Sequence, residues 1–458
     1  MFKSILRKKP NIAHDEAHSD LLRCLSAWDL TLFGIGAIIG AGIFVLTGIA
    51  AATKAGPSTI FSFVLSGLAC GFAALSYAEL ASSIGGCGSA YNYAYVGLGE
   101  LPAWIIGWDL LLEYALSVST VASGWSHYFH SILLSIGWHI PYALLHTPGD
   151  GGILNLPALI IVLLVMALLA IGVKMSARFN ATMVAIKLLV IAVFIIVAIK
   201  HFNPAYWHPF APFGWKGVMS GAALIFFAYI GFDAVSTTAD EVVNPGRDLP
   251  IGIIASLVIC TLLYIVVSGL LTGMVSYTSL NVSSPISHAL LEVGARVIAG
   301  LVAVGAIAGL TTVILVMYYG LTRVFLAMAR DHLLPKYFEH IHPQTRTPVR
   351  IILSTGCVVS IFSALIPISE LAELVNIGTL IAFAIVCTGV IILRYMYPNM
   401  HRPFKTPLFP VISILGIFSC LYLTINLPGE TWIRFIIWMA LGFIVYFAYS
   451  RFRSKLNT

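Results

Sequence analysis

The stretch "GIGAIIGAGIF", residues 34–44, decides how this chain folds, because it lies in a long apolar segment yet contains four glycines among its eleven residues. Glycine costs about 1 kcal/mol relative to alanine in a helix interior. The stretch therefore predicts either a helix whose backbone packs closely against a neighbour or a helix that is broken there. A break leaves backbone N–H and C=O groups free to bind a ligand.

The composition of the whole chain indicates which solvent surrounds this segment. Of its 458 residues, 59% are hydrophobic and only 10% are charged, and the mean hydropathy is +0.95. These values lie far outside the range of soluble domains and predict an integral membrane protein. The seven cysteines are scattered, and their spacing predicts neither a disulfide framework nor a metal site.

Apolar runs long enough to cross a bilayer recur along the chain. A membrane helix needs about 20 apolar residues, and about twelve such runs are found. They lie near residues 29–52, 58–82, 99–134, 154–173, 179–200, 217–238, 250–274, 297–329, 348–366, 371–396, 407–427 and 432–452. The sequence thus predicts an all-α membrane protein of about twelve transmembrane helices, preceded by a short N-terminal segment, residues 1–28.

The basic residues predict the orientation of these helices. Positively charged loops stay on the cytoplasmic side of a membrane. With the N-terminus inside, the basic residues of the outer loops are Lys54, Lys200, Lys216, Arg296 and Arg434, and every other one except Lys187 lies inside. We expect both termini in the cytoplasm of a cell-membrane protein. The net charge of +6 follows from this topology, and no nucleic-acid partner is predicted.

A second run carries a glycine at its middle. Residues 221–241 read "GAALIFFAYIGFDAVSTTADE", with Gly231 at the centre and Asp233 two residues later. This sixth run follows the first by five helices, which is typical of transporters built from two inverted five-helix repeats whose first helices are broken near the bilayer midplane. The predicted repeats span residues 29–200 and 217–396, and two further helices occupy residues 407–454.

Broken helices at this depth favour a zwitterionic ligand. Unwound backbone survives in a membrane only where it lines a cavity, where N–H groups suit an anion and C=O groups suit a cation. An amino acid carries both charges. The alternative is a packing face of small residues, since the Gly36-xxx-Gly40 spacing also fits ordinary close contact between helices.

Four long motifs resemble the amino acid-polyamine-organocation family, and within it the cationic amino acid transporter branch. They are "GIGAIIGAGIFVLTG" (34–48), "YAELASSIGGCGSAYNYAYVGLGE" (77–100), "FFAYIGFDAVSTTADEVVNPGRDLPIGI" (226–253) and "RVFLAMARDHLLPKYFEHIHPQTRTPV" (323–349). The compact length resembles the bacterial members. The resemblance implies a leucine-transporter-like fold with helices 1 and 6 broken.

The resemblance also implies which residues bind the substrate. In this family the substrate carboxylate meets backbone amides of the first break, here Gly40, Ala41, Gly42 and Ile43. The ammonium group meets carbonyls at the two breaks, here Ile38 or Ile39 together with Phe227, Ala228 and Ile230. The Phe227 ring is expected to cap the site when the outer side is closed, and its alternative role is ordinary packing.

Lys187 is the most informative single residue. It lies nine residues after Arg178 and thirteen before Lys200, or roughly 13 and 20 Å from these flanking charges along a helix. A cationic side chain at this depth faces the bundle interior and marks a pathway by default. We predict that Lys187 carries the coupling proton and bridges to the helix 1 carbonyls between Gly36 and Ile39. The alternative is a permanently fixed tether.

Few carboxylates lie deep in the predicted spans. Asp109 and Glu113 are four residues apart and so share a helix face, where two close carboxylates hardly ionise together. They are candidate accessory groups for proton coupling. Asp233 is a candidate partner for a basic substrate side chain, and Glu79 a candidate gate or loop anchor. A structural hydrogen bond is the alternative role for each.

Met317, in the eighth run, is the candidate wall of the pocket for the substrate side chain. Methionine is long and apolar and offers no partner to a guanidinium group. If it lines the pocket, small or medium neutral amino acids are favoured over arginine or lysine. The alternative is that Met317 only fills space between helices.

The sequence therefore predicts a secondary transporter that imports small neutral or cationic L-amino acids by alternating access with protons. No cofactor is predicted, sodium is not expected, and a protein partner is not identified. An exchanger without proton coupling and a polyamine transporter remain alternatives. An enzyme is not predicted, because no His-Glu-x-x-His, Gly-x-Ser-x-Gly or Walker motif is found, and a channel does not need paired broken helices.

Overall fold

The computed structural model describes residues 7–9, 25–84, 88–135, 137–172, 177–345 and 347–457. Most of the predicted N-terminal segment 1–28, together with Lys174 and Arg346 of the predicted inner loops, lies outside these residues. Eight helices in the described part are long and apolar enough to cross a membrane, and shorter apolar helices lie between them.

These helices form twelve spans in the described part of the chain, once residues 42–84 are divided at the turn of Gly56 (φ +63°). The first and sixth spans each consist of two halves. The spans are α1a (Ala27–Ile38), α1b (42–55), α2 (Thr59–Ile84), α3 (Glu100–Ser135), α4 (Leu156–Ile171), α5 (Ala177–Lys200), α6a (Gly214–Ile225), α6b (Asp233–Glu241), α7 (Pro245–Met274), α8 (Arg296–Arg330), α9 (Val349–Leu365), α10 (Ile368–Met396), α11 (Val411–Ile425) and α12 (Gly429–Val445).

The first span is broken where the glycines predict. α1a begins with a capping box, in which Ser26 and Asp29 each accept a hydrogen bond from the other's backbone N–H. It ends at Ile38, because Ile39 adopts an extended conformation (φ −73°, ψ 95°). α1b starts at Gly42 and runs in wide turns, so that the N–H of Thr47 reaches the Gly42 carbonyl.

The sixth span is broken at the equivalent place. After α6a the chain makes one tight turn over Phe226–Tyr229, and Ile230 is then extended (ψ 135°). Gly231 has φ +122°, a conformation open to glycine but strained for other residues. α6b follows as a tightly wound helix. The predicted breaks of both helices are therefore confirmed.

Helix packing reveals the internal repeat. α2 packs on α7, α3 on α8 and α4 on α9. The contact of α1a with α7 is matched by that of α6a with α2, and the contact of α8 with α5 by that of α3 with α10. In each comparison, the helices of one contact differ by five in number from those of the matching contact. Since five is odd and each span crosses once, equivalent helices run in opposite directions, as in inverted repeats. The predicted fold class is confirmed.

The last two helices lie at the periphery. α11 packs on α10 and α2, and α12 on α10. Their outer faces are apolar and open, with Phe418 67%, Ile425 72% and Ile437 64% exposed. Such a surface fits contact with lipid, and it leaves the middle of the ten-helix core to the two breaks.

Candidate functional site

The two breaks touch each other at Gly42. A Cβ atom at this position would overlap the Cα and Cβ atoms of Ala228. No larger residue therefore fits while the first turn of α1b lies against the tight turn after α6a. This contact brings the N-terminal N–H groups of α1b, which lack partners within their own helix, next to the carbonyls of the sixth span.

Tyr264 of α7 joins the two breaks. Its buried hydroxyl lies 2.9 Å from the carbonyl oxygen of Ile38 and 2.9 Å from that of Ala228. A hydroxyl carries one hydrogen, so it donates to one carbonyl at a time. Sequence reasoning missed this residue, because nothing in an apolar helix distinguishes a bridging tyrosine from a packing one.

A closed cavity lies between the breaks, α3 and α8. It has a volume of about 10 Å³, room for about one water molecule, and is lined by Ala37, Ile38, Gly40, Ala41, Gly42, Ser117, Val121, Phe227, Ile230, Val313 and Met317. All of these lining residues are buried, so the cavity is closed towards both faces of the membrane. Seven of the predicted substrate-binding residues line it: Ile38, Gly40, Ala41, Gly42, Phe227, Ile230 and Met317.

The other predicted substrate-binding residues lie near the cavity without lining it. Ile43 is buried in the first turn of α1b, and Ala228 contacts Gly42. The Ile39 carbonyl accepts a hydrogen bond from Lys187 Nζ. The carboxylate of Asp233 accepts hydrogen bonds from the Tyr114 hydroxyl at 2.8 Å and from the Gly231 N–H at 3.1 Å. Asp233 therefore stabilises the sixth-span break in this structure.

Four lining residues were not predicted from the sequence: Ala37, Ser117, Val121 and Val313. For two of the four, spacing along the helix indicates a position on the cavity. Val313 precedes Met317 by four residues, and Ser117 follows Glu113 by four, so each pair shares a helix face. Helical periodicity, applied from the predicted residues Met317 and Glu113, therefore leads to Val313 and Ser117.

Lys187 makes the predicted contact with the first span. Its Nζ donates hydrogen bonds to the Gly36 carbonyl at 2.7 Å and to the Ile39 carbonyl at 3.1 Å. The side chain is 0% exposed, and a Cβ added at Gly309 of α8 would lie 2.9 Å from its Cε. The lysine thus ties α5 to the end of α1a, although the proton-coupling role assigned to it stays a prediction.

Two of the three carboxylates of α3 are buried without a hydrogen-bond partner in the described part of the chain. Asp109 and Glu113 are 2% and 1% exposed, and their oxygens have no hydrogen-bond partner within the described residues. The Thr379 hydroxyl faces Glu113 but donates to the Val375 carbonyl. Ionised carboxylates without partners are very costly inside a protein, which agrees with the expectation that the two do not both ionise.

Glu79 acts as a loop anchor, one of its two predicted roles. It accepts hydrogen bonds from Arg394 Nε at 2.8 Å and Nη2 at 2.6 Å, and another from the Thr406 N–H at 2.8 Å. These contacts fasten the end of α2 to α10 and to the loop that precedes α11.

A longer ion pair, Arg323 to Glu241 at 3.8 Å, joins α8 to the end of α6b.

Comparison with known proteins places this architecture in a family. A family model described as "Amino acid permease" matches residues 25–448. The methylthioribose transporter of Bacillus subtilis (strain 168) is 50% identical, and the alignment covers 99% of each chain. The branched-chain amino acid permease BcaP of the same strain is also 50% identical, with 99% of each chain covered.

A more distant relative belongs to the branch that the motifs resemble. The vacuolar cationic amino acid transporter 4 of Arabidopsis thaliana is 37% identical over 86% of this chain and 68% of its own. These relatives are named as transporters or permeases, in agreement with the expectation of a carrier rather than an enzyme. With its many apolar helices, the chain is a multi-pass membrane protein.

Proposed function

This chain belongs to the amino acid permease family, and on that premise we propose that it imports small or medium neutral L-amino acids together with protons. The observation that carries the proposal is the closed cavity between the two helix breaks. The carrier works by alternating access, with α1, α2, α6 and α7 moving against the remaining helices.

The breaks suit the charged ends of an amino acid. α1b presents the first N–H groups of a helix at Gly42 and Ile43, where a carboxylate is favoured by both the donors and the helix dipole. The carbonyl oxygens of Ile38 and Ala228 share the single Tyr264 hydroxyl, which donates to one of them at a time. Each oxygen has a second lone pair, so each can also accept a hydrogen bond from a substrate ammonium group.

The walls of the cavity favour a neutral side chain. Around the space between α3 and α8 lie Val121, Val313 and Met317, which provide no partner for a charged group. Among the described residues no carboxylate lines the cavity, and the nearby Asp233 accepts a hydrogen bond from Tyr114. A guanidinium or ammonium group placed here would lose its hydration without compensation. Import of cationic amino acids is therefore the less favoured form of the proposal.

Lys187 supplies the coupling. When protonated, it donates to the Gly36 and Ile39 carbonyls and holds the end of α1a against α5. Loss of the proton towards the cytoplasm removes this tie and frees α1a, so that the substrate is released. Because a proton and a substrate that favour the same state strengthen each other's binding, their coupling is reciprocal. The Cys260 thiol of α7 is the titratable neighbour of this lysine.

We place the protein in the cell membrane with both termini in the cytoplasm. The distribution of basic residues supports this orientation. It sets the Glu79–Arg394 anchor at the inner face and Lys54 at the outer face. The two repeats are assigned to residues 29–200 and 217–396, and α11 and α12 to residues 407–454.

Counterflow in proteoliposomes tests the proposal. Vesicles loaded with unlabelled alanine, valine, leucine or arginine are placed in labelled alanine, and methylthioribose, the compound in the name of one relative, is included as a further internal solute. We expect trans-stimulation by the neutral amino acids. A channel shows none, and stimulation by methylthioribose alone would contradict an amino acid substrate.

A further inference from the structure

We propose that the Ser117 hydroxyl binds the substrate side chain and makes the site selective for β-hydroxy amino acids, threonine above all, over apolar amino acids of the same size. The inference rests on the proposed function and extends it to side-chain recognition.

Ser117 carries the one polar side chain among the residues described around the cavity. It is 1% exposed, and its Oγ has no hydrogen-bond partner within the described residues. A buried hydroxyl without a partner costs free energy comparable to that of a lost hydrogen bond. A substrate group that reaches Oγ recovers this free energy on binding.

Neighbouring hydroxyls of α3 behave differently. Ser119 Oγ lies 3.1 Å from the Ala115 carbonyl and 3.2 Å from the Val359 carbonyl. Thr120 donates to the Leu116 carbonyl at 2.8 Å. Serine and threonine in helices commonly bond to the carbonyl four residues back. Ser117 is distinguished from these residues by its place on the cavity and by its lack of such a bond.

The height of Ser117 along α3 matches the gap between the breaks. Three residues before it, Tyr114 is bonded to Asp233 at the start of α6b. Seven residues after it, a Cβ added at Gly124 would lie 3.3 Å from the Ala41 Cβ beside the start of α1b. Ser117 therefore lies between the start of α6b and the start of α1b, at the height of the gap between the breaks, where the side chain of a bound amino acid begins.

The remaining walls define the chemical class of that side chain. Val121, Val313 and Met317 offer apolar surface, while Ser117 offers one donor and two acceptor lone pairs. A branched side chain with one methyl and one hydroxyl matches both. Threonine has this side chain, and valine is its isostere without the hydroxyl, so the pair isolates the contribution of a single hydrogen bond.

Competition binding with purified protein tests the inference. Threonine and valine, and then serine and alanine, compete with a labelled neutral amino acid in the wild type, Ser117→Ala and Ser119→Ala. We expect the wild type to favour threonine over valine by roughly 3- to 10-fold, the range of one net hydrogen bond. Ser117→Ala is expected to lose this preference while it still binds valine. Ser119→Ala, the matched control, is expected to keep it.

The possible failures are distinguishable. An unchanged threonine-to-valine ratio in Ser117→Ala, or no preference in the wild type, overturns the role of Ser117 and leaves the amino acid carrier intact. Absence of binding by every amino acid in a folded wild type overturns the proposed function as well. If Ser117→Ala does not fold, Ser117→Gly removes the same hydroxyl, and the ratio in that variant decides.

Discussion

Gly42→Ala is the smallest change that tests whether the contact between the two breaks forms the binding site. The added methyl group would overlap the backbone Cα and the Cβ of Ala228. Backbone cannot move aside as the end of a flexible side chain can, so α1b must shift away from the sixth span. The N–H groups proposed to bind the carboxylate shift with it.

The size of the effect follows from the overlap. Extra atoms in a well-packed site cost about 1 to 3 kcal/mol. If this cost falls on the closed, substrate-binding arrangement, the affinity for a neutral amino acid falls by roughly 5- to 150-fold. Gly42→Val adds two further methyl groups and is expected to abolish measurable binding.

Equilibrium binding to purified protein measures this loss, with size-exclusion chromatography as the check on folding. Gly71→Ala on α2 is the matched control, because a Cβ atom there meets nothing within 4 Å. We expect the control to bind like the wild type. Wild-type affinity in a monodisperse Gly42→Ala or Gly42→Val variant would show that the contact between the breaks does not form the binding site and that the glycines of this stretch serve helix packing.

Two further substitutions probe the side-chain wall and the bridge between the breaks. Met317→Ser enlarges the pocket and adds a polar group to it, so competition binding should show that arginine and lysine gain affinity relative to alanine. An unchanged ratio of these affinities would mean that Met317 does not line the pocket for the substrate side chain. Tyr264→Phe removes the hydroxyl shared by the Ile38 and Ala228 carbonyls, which is worth about 1 kcal/mol or more, so the affinity measured in the same assay should fall roughly 5-fold or more. Unchanged affinity would mean that this bridge does not organise the site.

The sequence was sufficient to predict the breaks because they depend on local residue type. Glycines at 34–44 and at 231 are costly in a helix, and their separation by five spans is readable without a structure. The contact of Lys187 with Gly36 and Ile39 was predictable for a related reason. A deep ammonium group needs acceptors, and a broken helix is where a membrane protein has free carbonyls.

The remaining part of the site depends on which helix faces meet. Ser117 stands in "SVSTVAS", residues 117–123, where four hydroxyl residues look alike until packing places one of them on the cavity. Tyr264 bridges the breaks only because α7 crosses both. For Asp233, the sequence left a substrate contact and a structural hydrogen bond open, and the position of Tyr114 favours the hydrogen bond.

Substrate accumulation in proteoliposomes under an imposed pH gradient tests proton coupling through Lys187 most directly. A labelled neutral amino acid is expected to accumulate when the outside is acidic, with or without sodium. Lys187→Ala should weaken accumulation and flatten its pH dependence. Lys187→Arg keeps the positive charge but cannot release its proton in this pH range, so the titration of residue 187 is lost. Lys200→Ala is the control: it lies at the exposed end of the same helix and should behave like the wild type. Accumulation that follows sodium and ignores protons, or a wild-type pH profile in Lys187→Ala, would contradict the account and leave Lys187 as a structural tether.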